Sequence, residues 1–223
     1  VKAMSRDHQM CHRDFNPDCP GCNAKARNKR RYKGSFDRAH PKHDNEVTLD
    51  QVGLTDVVGT MGIGNYKYAV VLCKLKEDWW AFTPLKTLAA EEADLAFRQF
   101  CRGWTEDFSA VLVYCDAHTS LVNVCNKHSI LRRPPPPGRP QANAVLERKT
   151  GVAFCGLRAM LVTGCLPNCF WPFVGRAFAL NTCIKTGSYE AMFGTPEFQT
   201  FIPGELVFFK PAPTILTQAK TDS

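Results

Sequence analysis

The sequence predicts an α/β chain: a mixed β-sheet flanked by helices, behind a short helical module rich in histidine and cysteine. Three observations carry that reading. Strand-like segments crowd residues 46 to 85 and give way to alternating strand and helix signals as far as residue 183, an order that builds a sheet covered by helices. Two histidines and two cysteines are gathered within residues 8 to 22, ahead of the first strand. The charge divides at the same place. Residues 1–43 hold 11 Lys/Arg against 4 Asp/Glu, whereas residues 44–223 hold 17 of each, so the net charge of +7 belongs entirely to the first fifth of the chain.

A length of 223 residues suffices for one sizeable core with a small satellite, or for two modest domains. With 44% hydrophobic and 22% charged residues, collagen-like, disordered and membrane-spanning classes are poor fits. The longest apolar region, "AFCGLRAMLVTGCLPNCFWPFV", is broken by Arg158, Pro167 and Asn168, so it reads as buried helices and not as a span of about 20 apolar residues. The chain opens on Val1 without a secretory signal, as expected of a piece of something longer. Cysteines number 11, and several, such as Cys73, Cys115 and Cys155, stand singly in apolar runs; buried free thiols in a reducing compartment are expected.

In the first segment, "HQMCHRDFNPDCPGC", His8 and His12 stand four residues apart and share one face of a helix. Cys19-Pro-Gly-Cys22 is a tight turn that aims two thiolates at one point. Two imidazoles and two thiolates complete a closed tetrahedral zinc site of the structural kind. Such a site folds a segment too short for its own core. Cys11 faces away from His12 on a helix and is left out of the ligand set. "KARNKRRYK" follows, with Lys25, Arg27, Lys29, Arg30, Arg31 and Lys33. Six cations in nine residues suit phosphate contact, hence a nucleic-acid partner. The predicted organisation is a zinc module with basic arm over 1–34, a linker over 35–45, an α/β core over 46–186, and a C-terminal extension over 187–223.

Within the core, "EVTLDQVG" begins with β-branched alternation and ends at Gly53, which predicts a strand. "YKYAVVLCKL" and "WWAFTPL" form a hairpin turning at Lys76-Glu77-Asp78. "TLAAEEADLAFRQFCRGW" is a helix, with Leu88, Leu95 and Phe100 as its apolar signal. "SAVLVYCD" is a buried strand ending at Asp116. Residues 141 to 164 form a helix with Leu146, Ala153, Leu157 and Met160 on its core stripe, and Pro140 stands near its first turn. "NCFWPFVGRAFALNTC" is a further helix. "ELVFFK" predicts one strand in the extension. Trp79 and Trp80 read as packing aromatics.

Asp50 lies in the first strand, Asp116 at the end of a central strand, and Glu147 on the helix after it. Carboxylates at strand ends and on an adjoining helix can hold two Mg²⁺ ions about 3.5–4 Å apart, a general arrangement for phosphodiester chemistry. Three acids out of 21 do not define a site by themselves. Their surroundings do more. "PGRPQANAVLER" resembles the segment around the last acid of retroelement integrases, most closely the copia class of LTR retrotransposons. That class shows a P-x-x-P-Q-x-N-x-x-x-E-R pattern, met here by Pro137, Pro140, Gln141, Asn143, Glu147 and Arg148. "NPDCPGCNAK" is similar to the second half of the family's zinc-binding motif. "LDQVG", "YKYAVVL", "GLRAMLVTGCLPNCFW" and "SYEAMFG" fall in the family's order, so the resemblance covers nearly the whole chain.

The resemblance implies an RNase H-like integrase core in which Asp50, Asp116 and Glu147 bind two Mg²⁺ (or Mn²⁺) ions, with structural Zn²⁺ at His8, His12, Cys19 and Cys22. Asp56 is the runner-up for the first acid. It implies DNA partners, both element ends and target, contacted by the basic arm, Asn143 and Arg148. It also implies a homo-oligomer with no membrane and no small-molecule cofactor, acting in the nucleus after a cytoplasmic particle stage. One segment departs from the pattern. After its second Asp the family has Asn-Gly or a similar pair, then an acid; "DAHTSL" places His118 at the glycine and Ser120 at the acid. A turn needing φ > 0 would be strained by His118. The alternative expectation is therefore a decayed or domesticated copy that binds DNA without catalysis.

Overall fold

The computed structural model describes residues 5–13, 15–25, 44–54, 59–133 and 144–207. A five-stranded sheet forms its centre: β1 (Glu46–Gly53), β2 (Tyr68–Lys74), β3 (Trp79–Leu85), β4 (Leu112–Tyr114) and β5 (Leu131–Arg133), in the order β3-β2-β1-β4-β5. β1, β2 and β3 run antiparallel, whereas β4 and β5 run parallel to β1. The change of direction follows from the connections. A short turn over 75–78, with Asp78 at φ 56, joins β2 to β3. Parallel neighbours need a longer crossover, supplied by α3 (Ala90–Cys101) before β4 and α4 (Thr119–Lys127) before β5.

Each face of the sheet carries its own core, because successive strand residues point to opposite sides. Val47, Leu49, Val70, Leu72 and Val113 pack with Ala96, Phe97, Phe100, Leu121 and Val124 of α3 and α4. Val71, Cys73, Trp80 and Phe82 pack on the other side with α5 (Ala144–Thr163) and α6 (Trp171–Thr186), through Leu146, Leu157, Met160, Val174 and Phe178. Close approach of these two helices depends on Gly156, where a Cβ would lie 2.0 Å from the Phe178 ring. The predicted stripe of Leu146, Ala153, Leu157 and Met160 is buried.

The module at the N-terminus lies on this second layer. α1 (Arg6–Cys11) begins at Ser5, whose side chain accepts from the His8 amide, and α2 (Pro20–Lys25) follows the Cys19 turn. Both pack against α5, and α1 also meets α6. Cys11 joins the core between them. All eleven thiols are free and eight of them are buried. Among the described residues no helix is long and apolar enough to cross a membrane.

Several sequence expectations need correction. Leu95 is 49% exposed, and Asp94 is buried in its place. α3 buries Ala93, Ala96, Phe97 and Phe100, an i, i+3, i+4, i+7 set that excludes Leu95. "ELVFFK" is not a strand where it is described: Glu205–Val207 carry no strand hydrogen bonds, and 208–210 lie outside the described residues. Leu206 is 87% exposed. α4, β5 and α7 (Ser188–Phe193) were not anticipated. β5 is three residues long and two of them are arginines, so its identity comes from pairing with β4 and not from its own composition.

Candidate functional site

The four predicted ligands of the N-terminal segment meet. His8, His12, Cys19 and Cys22 are all buried, and their ligand atoms lie within 4.8 Å of one another. Cys22 Sγ is 3.3 Å from His8 Nε2 and 3.7 Å from His12 Nδ1, and Cys19 Sγ is 3.5 Å from His12 Nδ1. Zn–S bonds of about 2.3 Å and Zn–N bonds of about 2.0–2.1 Å at tetrahedral angles set S···N near 3.6 Å, so the donors present fit that ion in type, number and spacing. Local backbone produces this aim. α1 holds both histidines on one face, and His12 ends the helix at φ 48 with its amide on the His8 carbonyl.

The three carboxylates come from three elements on one side of the sheet. Asp50 stands opposite Val71 on β2, and directly opposed residues share a face; Val71 belongs to the α5/α6 core. On the parallel side, Thr48 pairs with Tyr114. Continuing that register by two residues sets Asp116, beyond the end of β4, level with Asp50. Its neighbour Cys115 is buried on the α3/α4 side, so the alternation turns Asp116 toward the face of Asp50. Glu147 is in the first turn of α5, the helix covering that face. Lys149 fixes that turn by an ion pair to Asp78, 2.6 Å away in the hairpin.

Electrostatics agree with the topology. Asp50 is half-buried, whereas Asp116 and Glu147 are exposed. Burial pushes the Asp50 carboxyl above its usual range, the charges of Asp116 and Glu147 push it further, and the Gln51 amide and His118 oppose them. Asp50 is thus within the fields of both other acids. Among the described residues, only the His/Cys cluster draws three or more such ligand atoms to a single point. A two-ion site has no need of that, since its ions stand about 3.5–4 Å apart. The oxygen donors fit hard divalent cations.

The "DAHTSL" segment takes an unstrained course. His118 has φ −63 and ψ 128 and starts α4 as its N-cap residue, so the strain expected of a histidine at a glycine position is not present. Its Nδ1 meets Ser120 Oγ at 2.8 Å, and that hydroxyl donates to Gln51 Oε1 at 2.7 Å. This chain ties the loop after Asp116 to the strand that carries Asp50. Gln51 was not anticipated: its partner is 69 residues away, and nothing in its own neighbourhood announces it. Thr163 was also missed, at 3.4 Å from His12 Nε2.

Other predicted residues stand apart or lie outside view. Arg148 is exposed beside Glu147. Asp56, Pro137, Pro140, Gln141, Asn143, Arg27, Lys29, Arg30, Arg31 and Lys33, and the side chain of Lys25, lie outside the described residues.

No protein-family model matches the chain, and no curated protein matches it. Among solved structures it is similar to a chain of the simian T-cell lymphotropic virus intasome, solved by cryo-EM in complex with PP2A regulatory subunit B56 gamma. Identity is 13%, with 87% of this chain and 68% of that chain covered and a TM-score of 0.52. It also matches the catalytic core domain of BIV integrase at 14% identity, covering 80% of this chain and 97% of that one, with a TM-score of 0.42. The intasome likeness shows the fold, the RNase H-like arrangement of a mixed sheet flanked by helices; at this identity it shows the fold alone.

Proposed function

We propose that the chain is the integrase region of a copia-type LTR retrotransposon polyprotein, a metal-dependent enzyme that trims the 3′ ends of element DNA and joins them to target DNA. The observation that supports this reading is that Asp50 in the middle of β1, Asp116 just beyond its parallel neighbour β4, and Glu147 in the first turn of α5 belong to one side of the sheet. Two Mg²⁺ or Mn²⁺ ions bound there would activate the attacking hydroxyl and stabilise the leaving 3′-oxygen. Asp50, which feels the charges of both other acids, would bind metal together with them. Asp116 and Glu147 would each hold one, and their exposure leaves room for a DNA strand. The protein offers no covalent nucleophile; positioning is its contribution. His8, His12, Cys19 and Cys22 would hold structural Zn²⁺. Lys25, Arg27, Lys29, Arg30, Arg31, Lys33, Asn143 and Arg148 would contact phosphate. The similar intasome chain supports DNA and further copies of this chain as partners; element ends, target DNA and a nuclear site of action after a cytoplasmic particle stage belong to the same proposal.

The deciding experiment uses oligonucleotide ends with Mg²⁺ or Mn²⁺. Asp116→Asn should abolish both end trimming and strand transfer while DNA affinity stays within about threefold of wild type, because the acid positions metal and makes no phosphate contact. Metal-dependent joining by Asp116→Asn would sink the assignment. A second reading, a domesticated DNA-binding copy, is favoured by His118 and Ser120 standing where the resemblance calls for glycine and an acid. It requires that the wild-type chain bind DNA ends without cutting or joining them.

A further inference from the structure

The His/Cys cluster and the helix carrying Glu147 are built into one another. Cys11 of α1 is part of the core beneath α5 and α6. Asp7 pairs with Lys185 of α6, and Arg6 pairs with Glu205 and the Thr200 carbonyl in the chain beyond α7. The tightest contact is at Gly21, between the two thiols in sequence. A Cβ there would meet Thr163 Oγ1 at 2.4 Å, His12 Cε1 at 2.8 Å and the Ala159 carbonyl at 2.9 Å. His12 turns Nδ1 toward both sulfurs and Nε2 toward Thr163 Oγ1, 3.4 Å away.

We infer that Thr163 is the positioning residue of the metal cluster and that, through it, metal loading and folding of the core are one cooperative event. Once the Nδ1 lone pair is given to a metal, the ring proton resides on Nε2, where it donates to the Thr163 hydroxyl. A partner on the second nitrogen fixes tautomer and ring orientation, and its loss typically costs about 10- to 100-fold in metal affinity. Here that partner is the last residue of a 20-residue helix, which spans about 30 Å and carries Glu147 in its first turn. Gly21 is what lets the cysteine turn come close enough for the contact, since any side chain would displace the hydroxyl or the ring. The cluster therefore clamps one end of the helix whose other end bears a carboxylate of the acidic site. The inference rests on a metal ion occupying the cluster; it is independent of the strand-transfer reading.

The test compares the full chain as wild type, Thr163→Val and Thr163→Ser. Zinc content is measured, zinc affinity is read by competition with a chromophoric chelator, and Co²⁺ replaces zinc for its ligand-field spectrum. Thr163→Val should weaken zinc about 10- to 100-fold and alter the Co²⁺ bands, while Thr163→Ser, which keeps the hydroxyl, should restore both. Stripping zinc from the wild type should lower the midpoint of the thermal transition reported by the fluorescence of Trp80 and Trp171, both buried in the core on the α5/α6 side. Wild-type zinc affinity in Thr163→Val overturns the positioning role, and a tryptophan transition unmoved by zinc removal overturns the coupling. A chain that takes up neither Zn²⁺ nor Co²⁺ overturns the inference together with the zinc assignment, yet leaves the outcome of Asp116→Asn undisturbed. Should Thr163→Val fail to fold, the wild-type stripping experiment and the serine variant still decide.

Discussion

Asp50 meets two opposed demands. As the proposed metal ligand it must be charged, yet burial first and the charges of Asp116 and Glu147 next raise its pKa. A carboxyl whose folded pKa lies above its unfolded value stabilises the fold only while it stays protonated. That contribution is lost as pH rises from the ordinary carboxylate range through the folded value, and above it the ionised group is a net cost. Asp50→Asn should therefore raise the melting temperature at neutral pH by about 2–4 °C, the shift that roughly 1 kcal/mol produces in a chain of this size, while abolishing strand transfer. The gain should shrink as pH falls through the carboxylate range and wild-type Asp50 takes up its proton, and should narrow when Mg²⁺ offsets the repulsion. Differential scanning fluorimetry across pH, with and without Mg²⁺, reads all three effects; a melting temperature lowered by Asp50→Asn would mean that the charge is held by favourable contacts instead. Burial of this residue is a tertiary fact. In sequence, "TLDQV" shows an acid in a strand and gives no sign of which acids face it.

At the scale of elements, the residues with strong periodicity were legible and those defined by their partners were not. β1, β2 and β3 read directly from β-branched and aromatic alternation, and α5 and α6 from their apolar stripes. α4 and β5 gave no such signal, and the sequence signal for α3 did not reveal that Leu95 is exposed while Asp94 is buried. Its burial is made tolerable by Lys127 at 2.7 Å and by His128, both at the far end of α4, and by Arg98 at 3.3 Å one turn along. Burial alone would raise the Asp94 carboxyl; the bonds from Lys127 and His128 outweigh it and hold it below the usual range. A lowered pKa supplies stability that is present above the unfolded carboxylate value and is lost as pH falls through the folded one. Wild type should thus lose stability on acidification more steeply than Asp94→Asn below about pH 4, and the variant should be less stable at pH 7 by roughly 1–3 kcal/mol. Urea unfolding at pH 7 and at pH 3–4 measures both, and parallel pH curves would show that the pairs contribute nothing. On the opposite face, Gly156→Ala should cost about 1–3 kcal/mol by overpacking against Phe178.

The whole molecule divides its labour by charge. Residues 44–223 carry equal numbers of acidic and basic groups, and the proposed reaction site is a cluster of acids, which by itself repels a polyanion. Attraction must come from the excess of seven positive charges in residues 1–43. The described part of that segment is anchored to α5 and α6 by Asp7–Lys185 and by Cys11, so the module brings the beginning of its basic stretch to the body of the core. The charge partition was plain in the sequence. The docking was not, because it depends on Gly21 meeting a residue 142 positions further on. If the arm supplies the phosphate contacts, the logarithm of the DNA binding constant should fall steeply with the logarithm of salt concentration, by about 0.9 for each phosphate neutralised. Replacing Lys29, Arg30, Arg31 and Lys33 together with glutamine should flatten that slope by as much as about 3.6 and weaken binding most at low salt. Asp116→Asn should leave the slope unchanged, since it removes a carboxylate and no phosphate contact. Fluorescence anisotropy with labelled duplex ends from about 50 to 200 mM salt measures the difference. An unchanged slope in the fourfold variant would move the phosphate contacts onto the core, where Arg148 beside Glu147 would be the first residue to examine, because a cation there touches DNA only when the strand already lies in the acidic site.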